Sequence, residues 1–240
     1  MLTQLLFFNT GHFALSVFTV FTFFAAGLLF LDAWQVDKLK KTPLLRSIGF
    51  FFLALVAAIH ATSIEIPLIV LLAQLSKIIG LVLILISLIH EPILHAPPKE
   101  KLSLIVPFAL PVFSSSLIPL STMLMLLIAA TYFRKATEGL DKQLKPAFFA
   151  FLFLGLSEAL HIAFFWSNTP VVFWSKMLAP FGLIWDIHHI FEFIGILILA
   201  IWVWGYIRFR LQVQLFVTTI ALTLSIFLIT TFFLECCLSH

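Results

Sequence analysis

Residues 66–89 read IPLIVLLAQLSKIIGLVLILISLI, with Lys77 as the single charge. The run exceeds the roughly 20 helical residues that cross about 30 Å of hydrocarbon. Pro67 stands where a first helical turn tolerates it. Apart from Gln74, Ser76, Lys77 and Ser87 there is no polar face, so the segment reads as a transmembrane helix. Working outward, comparable runs lie near 12–31, 46–62, 117–133, 146–166, 181–206 and 212–234. Pro43, Pro146 and Pro180 mark three of their starts. The fold expected is an all-α polytopic membrane helix bundle with seven clear transmembrane helices. The stretch 102–116 is apolar but carries Pro107 and Pro111 and ends in Ser114, Ser115 and Ser116, so it reads as a short broken or re-entrant helix.

Composition agrees. The 240 residues are 62% hydrophobic and 10% charged, with mean hydropathy +1.16. That leaves too few charges to keep a globule of this size in water, and it excludes disordered, collagenous and disulfide-scaffold classes. Cys236 and Cys237 are adjacent and cannot staple a loop. A net charge of +3 without a long basic run gives no reason to expect a nucleic-acid partner. The partners expected are the lipid bilayer and an effector or a second copy of the chain.

Basic residues stay on the cytoplasmic side of short loops. With the N-terminus outside, and 102–133 going out and back as a hairpin, twelve of the fourteen Lys and Arg are cytoplasmic. Lys77 is then within a helix and only Lys176 is external. A single crossing of 102–133 destroys that asymmetry. The localisation expected is therefore a multi-pass protein of the cell membrane with both termini extracytoplasmic and 167–179 external. Trp34, Tyr132 and Tyr206 are expected as aromatic anchors at the internal helix ends, with Trp166 and Trp174 around the external loop. Met1 to Thr10 has no positive segment of the kind that opens a removable signal peptide.

Ionisable side chains within a membrane are costly unless paired, so they are the default functional candidates. Glu158 and His161 are spaced i, i+3 on one helix. On another, His188 and Glu192 are i, i+4 and His189 and Glu192 are i, i+3, so each pair shares a helical face. At 1.5 Å per residue His161 and His188 fall about 8 and 10 Å from the external ends, and His60 joins them at that face. Because His188 and His189 diverge by about 100°, one of the two is expected to join the cluster. Lys77 and Glu192 lie at matching depth, so an ion pair of Lys77 with Glu192, or with Glu158, is expected.

The candidate ligand-binding or proton-sensing set is therefore Glu158, His161, His188, His189, Glu192 and His60. These groups can serve as interhelical hydrogen-bond glue, as a pH-responsive network, or as ligands of a metal, for which His60, His161, His188 and Glu158 are the candidates. Haem between histidines of facing helices is a further possibility; the leading expectation is no cofactor. No catalytic residues stand out, and no G-x-S-x-G motif accompanies Ser63 and His60.

The run Trp185, Asp186, Ile187, His188, His189, Ile190, Phe191, Glu192, Phe193, Ile194, Gly195, followed by Trp202 to Arg208, resembles the closing helix of the multi-helix sensor regions at the N-terminus of some bacterial membrane histidine kinases. Arg210 to Phe216 and Ser225 to Thr231 resemble the outward-going helix that follows in such proteins. The likeness covers about residues 145–234. It implies a sensor-like domain over 1–206, a final outward-going transmembrane helix and tail over 207–240, and a role in signal input. These 240 residues contain no phosphoacceptor helix and no glycine-rich nucleotide site, so no kinase activity of this chain is expected and its effector lies elsewhere. The alternative class is a haem- or metal-binding membrane redox protein, or a metal-dependent intramembrane enzyme.

Overall fold

The computed structural model describes residues 2–61, 66–91, 117–138, 141–166 and 183–208, and the isolated position 218. Six long helices account for nearly all of them: α1 (Leu2–Val36), α2 (Lys41–Ala61), α3 (Pro67–His90), α4 (Ile118–Glu138), α5 (Lys145–Trp166) and α6 (Leu183–Ile207), with a short 3-10 turn at Lys142–Leu144 before α5. There is no strand among the described residues. Five stretches are long and apolar enough to cross a membrane: Phe13–Val36, Lys41–Ala61, Pro67–His90, Lys142–His161 and Asp186–Ile207.

The expected seven spans thus exceed what the described residues hold. The segments 102–116 and 212–234 lie outside them, and α4 falls short of the other five in apolar character. The cause is visible in its sequence. Ser121, Thr122, Thr131, Arg134, Lys135 and Glu138 dilute its aliphatic residues, and Ser121, Thr122, Thr131 and Lys135 are buried against neighbouring helices rather than turned outward.

Each helix packs on its neighbours in sequence, and α1 closes the ring onto α6. Aromatic side chains fill the interior. Phe30 of α1 stacks on Phe50 of α2 (5.6 Å), Phe50 meets Phe151 of α5 (6.3 Å), and Phe151 stacks on Tyr132 of α4 (5.8 Å). Trp202 of α6 then touches both Tyr132 (6.1 Å) and Phe30 (6.4 Å). Tyr132 is therefore fully buried and not the interfacial anchor expected of it. Trp202 and Tyr206 do reach a polar boundary, donating to the backbone oxygen and side-chain oxygen of Gln143 at 2.8 and 3.2 Å.

Lipid tails are as apolar as leucine, so close van der Waals contact must hold such helices together. The α2/α3 crossing displays this. A Cβ on Gly49 would stand 2.7 Å from the Gly80 carbonyl oxygen, and one on Gly80 would stand 2.8 Å from that of Gly49. Only two glycines permit the backbones to touch there.

Side-chain contacts fix the helix directions. Lys135, near the end of α4, reaches Glu91 just beyond α3, whereas Ser121, near the start of α4, meets Glu158 late in α5. Hence α3 and α4 run parallel, and α4 and α5 antiparallel. The chain leaves α3 at one end of the bundle and enters α4 at the other; the outward half of the hairpin expected over 102–133 lies outside the described residues.

Candidate functional site

Two polar clusters lie at different levels of this ring. The first surrounds Glu91. Arg46 of α2 donates to it at 2.9 Å and Lys135 of α4 at 2.8 Å, both to the same carboxylate oxygen. Arg46 also donates to Ser87 at 3.1 Å and lies over the Phe30 ring, 4.7 Å from its centre. Burial alone would raise the Glu91 carboxyl, but the guanidinium and ammonium beside it more than offset that and hold it below its ordinary value of 4.5. Arg46 and Lys135 are among the twelve basic residues expected in cytoplasmic loops. They are instead buried where three helices end, and the signal available in advance was their position within one turn of apolar runs.

The second cluster is built around Glu158. Lys77 donates to one carboxylate oxygen at 2.6 Å and Ser121 to the other at 2.6 Å, so three helices converge on one buried group. Of the two partners expected for Lys77, Glu158 takes the ammonium. Glu192 stands beside His188 instead, at 3.9 Å. Depth allowed both pairings; the order of helices around the ring selects between them.

His161, one turn beyond Glu158, places Nδ1 3.8 Å from its carboxylate. The His161 ring also packs on that of His188 of α6, their centres 3.8 Å apart. His188 is buried and tied to α5 through Nδ1, which lies 2.8 Å from the Ser157 hydroxyl and 2.9 Å from the Ser157 carbonyl oxygen. A carbonyl only accepts, so Nδ1 carries the proton and Nε2 points toward Glu192. His189 meets His188 edge to face at 4.7 Å. One ligand atom from each of His188, His189 and Glu192 lies within 4.8 Å of the others, so both adjacent histidines belong to the group. Two histidine rings with centres 3.8 Å apart leave no room for a porphyrin between His161 and His188 as they stand.

His60 is at the exposed end of α2 and enters the cluster through a cavity of about 180 Å³. This space is bordered by His60, Gln74, Lys77, Ser121, Glu158 and His161, with apolar side chains completing its wall. Ser121 and Ser157 had no distinguishing signal in the sequence, because single serines are ordinary in apolar helices and only their neighbours give these two a role. Comparison of the chain with protein-family models, with curated proteins and with solved structures finds no match.

Proposed function

We propose that the protein is an integral membrane sensory component whose input site is the polar centre between α3, α5 and α6, and whose effector lies outside this chain. The observation that carries this reading is an unbroken succession of ionisable contacts across the ring, from Lys77 to Glu158, His161, His188 and Glu192. A change of charge anywhere along it, by a proton, a metal ion or a small polar ligand entering beside His60, alters the attraction between three helices at once. The charged and titratable groups facing it are Lys77 from α3, Glu158 and His161 from α5, His188, His189 and Glu192 from α6, and His60 of α2 across the cavity. Electrostatic interactions among such partly and fully buried groups are stronger than at a surface, and α6 carries three of them. The resemblance of residues 145–234 to histidine-kinase sensor regions points the same way.

The test is a distance measurement between spin labels at Leu39→Cys and Trp204→Cys, in full-length protein carrying Cys236→Ser and Cys237→Ser, reconstituted in lipid nanodiscs. Moving between about pH 5 and 8, or adding zinc, is expected to shift the distance by about 2–5 Å. Distances that stay fixed under every condition remove the sensory reading. A metal-dependent membrane enzyme or redox protein is the second reading, favoured by the grouping of His188, His189 and Glu192.

A further inference from the structure

We infer that His188, His189 and Glu192 of α6 form a binding site for a divalent transition-metal ion of the zinc class. The inference rests on the polar centre being the input site and names the ligand it takes.

Three observations converge. The first is spacing: two imidazoles and a carboxylate at positions i, i+1 and i+4 of one helix bring a ligand atom each within 4.8 Å of one another. Metal–ligand bonds of about 2.0–2.2 Å would draw such atoms to roughly 3.3 Å apart, a change that side-chain rotation supplies without moving the helix.

The second is orientation. A histidine that binds metal through one ring nitrogen characteristically donates its other N–H to a backbone carbonyl, which fixes tautomer and ring plane. The Nδ1 of His188 is 2.9 Å from the Ser157 carbonyl oxygen, so its Nε2 presents a lone pair on the side of Glu192. The two side chains stand 3.9 Å apart, beyond hydrogen-bond reach and suited to an ion between them.

The third is charge. Lys77 is committed to Glu158 at 2.6 Å, and among the described residues no Lys or Arg nitrogen lies within 4 Å of Glu192. A carboxylate in an apolar bundle is neutralised by a proton or by a cation, and a bound dication is a cation that the two neighbouring imidazoles would help to hold. On the far side of His188, the His161 ring packs against it and borders the cavity. Imidazole and carboxylate together suit zinc and its neighbours rather than calcium or a soft thiophilic ion.

The test uses full-length protein in detergent, stripped with chelator and titrated with Co²⁺, then with Zn²⁺ in competition. The expected result is one saturable Co²⁺ per chain with visible ligand-field absorption that Zn²⁺ displaces. His188→Ala and Glu192→Gln should each weaken binding about tenfold or more, while His90→Ala leaves it unchanged. Ser157→Ala, which retains all three ligands and loses only the hydroxyl beside Nδ1, should weaken it less than either ligand change. Absence of a saturable ion in the wild type, or wild-type affinity in the His188 and Glu192 variants, overturns the site. The two proposals fail separately. Stoichiometric metal without any change in the spin-label distance keeps the metal site and removes the sensory role. A distance that responds to pH in a protein binding no metal does the reverse.

Discussion

The Glu91 and Glu158 clusters are built from the same parts and differ in place. Each is a carboxylate drawn to cations from other helices, with a serine close by. Glu91 stands just past the last turn of α3 with its side chain 40% exposed, and two cations share one of its oxygens. Glu158 is 9% exposed in the middle of the ring and has a single lysine. Water replaces a lost partner more readily in the first case than in the second. The comparison teaches that burial, rather than the number of ion pairs, decides what each cluster does: the Glu91 group clamps three helix ends, whereas the Glu158 group holds a sensitive balance.

The most direct way to break this contrast is Lys77→Met. It leaves Glu158 buried without its cation, and a broken buried pair of this kind costs about 3–5 kcal/mol. Adding Glu158→Gln should recover much of the loss. Unfolding in mixed micelles by added denaturing detergent measures the coupling, and a loss in the double variant equal to the sum of the two single losses would show the two groups to be independent.

Glu91→Gln is expected to cost less, about 1–2 kcal/mol, because hydration compensates a half-exposed group. Its signature is pH dependence. The folded carboxyl sits below 4.5, so its contribution is fully present above that pH and fades as pH falls through the folded value. Stability of the wild type should therefore decline on acidification below about 4.5 more steeply than that of Glu91→Gln. Parallel curves would mean that Glu91 contributes nothing to acid sensitivity.

The smallest effect sharpens the comparison from the exposed side. Arg134 pairs with Glu138 at 2.7 Å on the surface of α4, one turn apart. Arg134→Ala should change stability by no more than about 0.5 kcal/mol. A loss as large as that of Glu91→Gln would show that exposure does not grade these ion pairs.

Much of this molecule follows from the amino-acid sequence alone. Long apolar runs with prolines in their first turns specify helices in a bilayer, since only internal hydrogen bonding satisfies the backbone there. Spacings of three and four residues put Glu158 with His161, and His188 and His189 with Glu192, on common faces, because one helical turn is 3.6 residues wherever the helix packs. Tertiary structure alone decided which faces meet. A helix as uniformly apolar as α5 carries little information about its own rotation or about its neighbour in the ring. Those follow from close contacts such as Gly49 with Gly80, and from the aromatic interior that takes in Tyr132. Hence the choice of Glu158 for Lys77, the capture of Arg46 and Lys135 by Glu91, and the contact of His161 with His188 appear only once the helices are packed. Each depends on the distance between side chains far apart in the chain, which no local periodicity encodes.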